Sequence, residues 1–551
     1  MARRTGLGEG GMEATSVAGL LLLAVLVSGY LSRLSYVPLP LVQMALGALI
    51  NSLGLATCVL DPALFFLLFL PPLLFIDGWR IPQDALRRDA GTILTLALGL
   101  VLATVLGMGW FIHWLVPAMP LAVAFALAAV IAPTDPIAVR AVATRHPVPA
   151  RLMHLLQGEA LLNDASGLVC MRFAVAAALT GAFSLTGALV SFAWVASGGL
   201  LIGAGVAWGV ARIAARTAVQ GAQSGGSQIL ATLLLPFGVY LLAERLHCSG
   251  ILAAVAAGLT MNLTEAWPWR AATRLQRTAV WDTVQLVTNG AIFVLLGQQL
   301  PALLSATPTT VLVTGHTDPW WLAGAAALIV LALGALRFAW VGLSFWLGAV
   351  AARRRGEDTP LQGWRVVMVA SLAGVRGAVT LAGVLTLPLL LPDGSAFPAR
   401  DLAILLAAGV ILLSLAVSTV LLPPVLRGLV WPAAPARSQI EHATRRAAAE
   451  AALQALEQAR RQRKGGAAAD PRYADAEGRL LAMYRQRIAS HTATGPVLRL
   501  EEQAIERELG LLGLRAERAE ARRYGRLHGL DELALRRIVR ELDFQEARHG
   551  V

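Results

Sequence analysis

The chain has 551 residues, 56% hydrophobic and only 15% charged, with a mean hydropathy of +0.64 and a net charge of +12. Soluble domains carry about a quarter charged residues, so this composition excludes an ordinary soluble globular protein. The positive charge does not point to nucleic acid. Lys464 is the single lysine, and the arginines fall between apolar stretches and in the C-terminal region, where the positive-inside rule expects them.

Crossing a hydrocarbon layer takes roughly 20 mostly apolar residues per helix. Such stretches follow one another through residues 14–430, and the weaker alternating pattern of a β-barrel is not seen. The fold class expected is an all-α polytopic membrane protein of about thirteen transmembrane helices. Their predicted spans are 14–32, 36–53, 60–77, 91–116, 120–143, 152–181, 184–211, 228–246, 249–263, 281–298, 319–350, 365–391 and 401–427. Pro38 and Pro40 interrupt the second span, and the ninth is short. The stretch 302–314 reads as a partial helix or an external loop. Residues 1–13 form an N-terminal extension. Met12 offers an alternative start, and the competing reading of a signal peptide lacks a convincing cleavage site. Residues 431–551 change to Ala, Arg, Glu and Leu, with helical patterning over 438–464, 474–490 and 498–545 and a break at Gly465–Pro471. This is expected to be a soluble helical tail.

Arginines test the spans. Arg80, Arg87 and Arg88 follow the third; Arg140, Arg145 and Arg151 the fifth; Arg212 and Arg216 end the seventh. Arg270, Arg274 and Arg277 follow the ninth, and Arg353, Arg354 and Arg355 the eleventh. The intervening gaps are almost free of basic residues. That alternation predicts cytoplasmic odd gaps, a cytoplasmic C-terminus and an external N-terminus, with Arg3 and Arg4 as misfits.

Carboxylates within spans are expensive and by default functional. Asp77 ends Phe69-Leu70-Pro71-Pro72-Leu73-Leu74-Phe75-Ile76-Asp77. Asp135 sits in Pro133-Thr134-Asp135-Pro136, and Glu159 and Asp164 in Gly158-Glu159-Ala160-Leu161-Leu162-Asn163-Asp164. Arg172, Arg337 and Arg376 supply opposite charges. Glu159 and Asn163, four apart, share a helix face, and a structural ion pair of Glu159 with Arg376 is expected. Asp164 has Gly167 and Leu168 at the positions where a basic helix neighbour would sit, so when buried it must hold either a proton or a cation.

Pro133 and Pro136 break the fifth span, because proline removes helix hydrogen bonds. Such breaks persist only where they line protein or water. Gly374 and Gly377 flank Arg376 in the twelfth. Interrupted segments in corresponding positions point to a transporter's midplane site. Spans 1–6 and 8–13 then read as inverted repeats. Asp135 would offset the positive helix ends and Arg376 the negative ones.

In order and content, these four motifs (with Gly374-Val375-Arg376-Gly377 as the last) resemble those of the first monovalent cation/proton antiporter family, the NhaP- and NHE-type sodium/proton exchangers. The likeness covers residues 14–430. It implies two interrupted, crossing helices in an NhaA-like fold, with a core of spans 4–6 and 11–13 against a scaffold of spans 1–3 and 7–10. It implies Asp164 as the ion-binding, proton-carrying acid with Asn163 beside it, and Thr134 and Asp77 completing an oxygen shell for Na⁺. Some members carry Ser where Ala160 stands, and place the acid of the third span slightly differently. The resemblance implies electroneutral exchange of Na⁺, K⁺ or Li⁺ for H⁺, a homodimer, and location in the inner membrane. Protons, monovalent cations and lipid are the partners implied, and no cofactor.

Other classes find little. A cation channel would need a selectivity filter, and none such as TVGYG occurs. A hydrolase would need HExxH or GxSxG, and His113, His146, His154 and His247 form neither. His146 and His154 remain candidates for tuning pH response. Cys58, Cys170 and Cys248 show no disulfide or zinc spacing.

Overall fold

The computed structural model describes residues 6–427, apart from 35–36, 56–61, 136–147, 149, 181–184, 220–224, 265–270, 314–317, 319 and 356–362. Beyond these it describes 446–458, 478–486 and separate helical positions further on. The second half of the fifth span, Arg140, Arg145 and His146 lie outside the described residues, as do Cys58 and the break at 465–471. The chain divides into two units, Met1–Trp431 and Pro432–Val551.

The first unit is helical throughout its regular structure. In chain order it contains α1 (Gly6–Leu34), α2 (Leu39–Ser52), α3 (Pro62–Arg80), α4 (Gln83–Arg88), α5 (Ala90–Leu115), α6 (Leu121–Ile131) and α7 (Ala150–Thr180). There follow α8 (Leu185–Val219), α9 (Gly225–Arg245), α10 (Gly250–Leu263), α11 (Ala271–Val313), α12 (Trp320–Arg355), α13 (Trp364–Leu372), α14 (Ala378–Leu385) and α15 (Arg400–Arg427). Among the described residues, eight helices are long and apolar enough to cross a membrane, and α2, α6 and α10 are shorter apolar helices. The all-α membrane class read from the sequence is therefore the class observed.

Several boundaries have plain causes. Pro38 caps α2 and Pro40 lies in its first turn, where a missing N–H costs nothing; these prolines start the second span rather than interrupt it. Ser249 caps α10, its Oγ accepting from Leu252 N at 3.2 Å. The stretch 302–313 is neither a loop nor a separate helix but the continuation of α11. The Nδ1 of His113 lies 2.8 Å from the Met119 carbonyl and closes the turn into α6.

Helices apolar on all sides belong in the interior, and α6 and α10 are buried over most of their length. Trp281 of α11 is buried and stacks on Phe75 of α3 at 5.1 Å. At one end of the same pair of helices Arg80 forms an ion pair with Asp282. In α5, residues Thr95–Leu100 form a π-turn. Its widened hydrogen-bond spacing leaves carbonyls for outside donors: Trp340 Nε1 of α12 reaches Thr95 O at 3.2 Å, and Ser166 Oγ of α7 reaches Ala97 O at 2.9 Å.

Two elements break where the sequence placed breaks. The helix α6 stops at Ile131, and Pro133–Asp135 continue without helical hydrogen bonds. The twelfth span is divided into α13 and α14 by Ala373–Gly377. The two interruptions meet in an antiparallel bridge, with Asp135 N donating to Val375 O at 2.7 Å.

In the second unit, helical residues occupy 446–458 and 478–486, with ion pairs one turn apart at Arg446–Glu450 and Glu520–Arg523.

Candidate ion-binding site at the crossing

The crossing is an electrostatic problem before it is a site. At the crossing α6 and α13 expose carbonyls at their C-terminal ends, equivalent to about half a negative charge each, and α14 begins with unsatisfied N–H groups. Arg376 donates from Nη1 to Ala132 O at 2.8 Å and Pro133 O at 3.1 Å, covering the end of α6. Arg337 donates from Nε to Ala370 O at 3.2 Å, covering the end of α13. Asp135 lies against the start of α14: a Cβ placed on Gly377 would fall 2.5 Å from its Oδ2. Glycine at 377 is a requirement of space.

Glu159 corrects one expectation. Its bidentate partner is Arg337 of α12, with Nη2 to Oε2 at 2.8 Å and Nη1 to Oε1 as the second bond, both side chains almost wholly buried. The expected pair with Arg376 does not form, because Arg376 spends its donors on the α6 carbonyls. Gly374 makes room for Arg337; a Cβ there would lie 2.5 Å from Nε.

From Glu159 the network runs to the broken strand. Thr134 Oγ1 donates to Glu159 Oε1 at 3.2 Å, and Asn163 Nδ2 donates to Thr134 Oγ1 at 3.0 Å. Asn163 therefore faces Thr134, on the same side of α7 as Glu159, and does not line the cavity described next. The Thr134 hydroxyl has its proton committed to Glu159 and keeps oxygen lone-pair capacity.

Asp164, one position round the helix, faces elsewhere. It lines a cavity of about 60 Å³ together with Asp77, Thr134, Asp135, Ala160, Gln285, Asn289, Gly377 and Thr380. That is room for a few water molecules or a partly hydrated small ion. Among the described residues no basic side chain pairs with Asp164. The lining residues come from α3, α7, α11, α14 and the extended segment after α6. Among the described residues, no group of three or more His, Cys, Asp or Glu side chains could itself hold a metal ion. The side-chain oxygens on the lining residues are carboxylates set apart, two threonine hydroxyls and two amides, a set suited to a hard monovalent ion that retains water.

So the structure brings Asp164, Asp135, Thr134 and Asp77 to one cavity. It places Asn163 and Glu159 in the adjoining network, and Arg376 on the helix end behind them. Arg337 was among the opposite charges read from the sequence, though not as the partner of Glu159; Ser166, Gln285 and Asn289 were not singled out. Those three are uncharged polar residues within long apolar helices, and nothing in their spacing marks them.

The family profile described as "Sodium/hydrogen exchanger, transmembrane" matches residues 20–428, most of the chain. The chain belongs to the sodium/hydrogen exchanger family. This exchanger is 39% identical to YjcE of Escherichia coli (strain K12), described as an uncharacterized Na(+)/H(+) exchanger, over 97% of this chain and 99% of that protein. It is 41% identical to a "Sodium, potassium, lithium and rubidium/H(+) antiporter" of Bacillus subtilis (strain 168), over 75% of this chain and 61% of the relative. Among solved structures, the sodium proton antiporter MjNhaP1 of Methanocaldococcus jannaschii aligns with a TM-score of 0.54 at 19% identity, over 76% of this chain and 99% of that one. That likeness concerns the fold. The family is one of cation/proton antiporters, so the exchanger is a membrane transporter rather than an enzyme.

Proposed function

We propose that the chain exchanges one monovalent cation for one proton by competition at Asp164. Protonated, Asp164 is neutral and has no hold on a cation. Deprotonated, it attracts a hard cation, with Thr134, Asp135 and Asp77 supplying further oxygens directly or through water. The two occupants exclude one another because both neutralise the same charge. The observation that carries this reading is a small cavity at the crossing of two broken helices, holding an acid with no described basic partner.

Na⁺ is the cation proposed, and the Bacillus subtilis relative's name supports a range that extends to K⁺ and Li⁺. The moving part would be a core of α5–α7 and α12–α15, rocking against a scaffold of α1–α3 and α8–α11. Residues of both groups line the cavity, which supports this reading. We further propose a homodimer through the scaffold, residence in the inner membrane, and a cytoplasmic tail from residue 431.

The test is exchange in proteoliposomes driven by an imposed pH gradient. The wild type is expected to exchange Na⁺ for H⁺, and Asp164→Asn to lose at least a hundredfold in rate, because a neutral side chain cannot alternate between occupants. Exchange that survives in Asp164→Asn would sink the assignment.

A further inference from the structure

The α11 wall of the cavity has features the proposed cycle does not use. Along one face of α11 lie Asp282, Gln285 and Asn289, spaced by three and four residues and hence stacked. The outermost two are occupied. Arg80, one turn beyond Asp77 on α3, forms an ion pair with Asp282 and donates from Nη1 to Gln285 Oε1 at 2.8 Å. These bonds hold α3 and α11 together one turn from the cavity-lining Asp77.

Asn289 is different. It lines the cavity with Asp164. Its amide oxygen is sealed from solvent and has no hydrogen-bond donor among the described residues. A buried acceptor without a donor is uncommon and calls for a missing partner. The charged side chains lining the same cavity are the carboxylates of Asp77, Asp135 and Asp164, and Ala160 presents only a methyl group. The partner that suits an orphan carbonyl oxygen among carboxylates is a cation.

We propose that Asn289 is a specificity-determining oxygen donor, contributed by the scaffold helix α11 to a monovalent cation held at Asp164. This rests on the reading of Asp164 as the ion-binding acid. Neutral amide oxygens give a weaker field than carboxylates, so adding or removing one changes the balance between binding an ion and stripping its water. That balance differs between Na⁺, K⁺ and Li⁺. Because Asn289 and Asp164 belong to different helices, α11 and α7, its distance from the ion is set by how closely those helices approach.

The experiment measures half-saturating Na⁺, K⁺ and Li⁺ in proteoliposomes for wild type, Asp164→Asn, Asn289→Leu and Asn289→Asp. Asn289→Leu keeps the shape and removes the oxygen. It is expected to raise half-saturating Na⁺ at least fivefold and to change the Na⁺ to K⁺ ratio at least threefold, with exchange still measurable. Asn289→Asp keeps an oxygen and is expected to bind Na⁺ at least as tightly as wild type. If Asn289→Leu does not purify as a monodisperse protein, Asn289→Ala is read against the same thresholds. Wild-type constants for all three ions in the leucine or alanine variant would overturn the proposal. A defect in maximal rate alone, with the cation ratio unchanged, would also overturn it, since a merely structural role predicts that result. Persistence of exchange in Asp164→Asn would instead remove the underlying reading of the site, whatever Asn289 does.

Discussion

Glu159 is an acid with a structural task, since Arg337 holds both its oxygens in a buried setting. Removing one partner of such a pair leaves a charge without compensation and costs about 3–5 kcal/mol. Arg376 has a different task. It caps a helix end, a contribution of up to about 2 kcal/mol in partly buried geometry. Thermal unfolding in detergent separates the two: Arg337→Gln is expected to lower the midpoint more than Arg376→Gln. Combining Arg337→Gln with Glu159→Gln should recover part of the loss, because no orphan charge remains. Equal effects of the two arginine variants, or no recovery in the double variant, would contradict the pairing. From sequence both arginines were available to Glu159. What decided between them was the exposed carbonyls of Ala132 and Pro133, which claim Arg376 and which spacing along the chain does not reveal.

At the level of elements, the crossing depends on how closely two broken segments approach. Gly377 has Asp135 against the place a side chain would occupy, with the nearest atom 2.5 Å from an ideal Cβ. Gly377→Ala must push Asp135 away from the start of α14, and is expected to reduce exchange at least tenfold while the protein still folds. Gly324, in α12, has nothing within 4 Å of the equivalent position. Gly324→Ala is expected to leave exchange within twofold and to stabilise the helix by about 0.5–1 kcal/mol. Transport rates and melting midpoints of the two variants make the comparison. Breaks of this kind were legible because proline and glycine act through the chain's own chemistry: Pro133, Gly374 and Gly377 announced them. Pro38 and Pro40 carried the same signal and meant a helix start, since the first turn needs no N–H partners. The π-turn of α5 left no mark in the sequence. Its cause lies in Ser166 and Trp340, donors from other helices that capture Ala97 and Thr95 carbonyls. The contribution of α11 was likewise hidden, because Gln285 and Asn289 gain meaning only once they line one cavity with Asp77 and Asp164.

For the whole molecule the decisive quantity is net charge moved per cycle. Asp135 lies against the start of α14, where the helix end opposes its charge. Asp77 lies one turn from Arg80, and Glu159 is bound to Arg337. Asp164 has no such compensation among the described residues, so it is the acid proposed to change occupant. If that single group carries one cation in one direction and one proton in the other, the moving core has the same charge on both journeys. A membrane potential then does no work on the cycle. Were one net charge carried, 100 mV would contribute about 2.3 kcal/mol, or a roughly 50-fold change in the steady-state cation ratio. Liposomes clamped at 0 and −100 mV with K⁺ and valinomycin, at a fixed pH gradient, distinguish the cases by their final internal Na⁺. The expected outcome is the same accumulation at both potentials, within about twofold. A ratio near 50-fold would require a second titrating group, and Asp77 and Asp135 would be the places to seek it, through Asp→Asn variants that restore indifference to voltage.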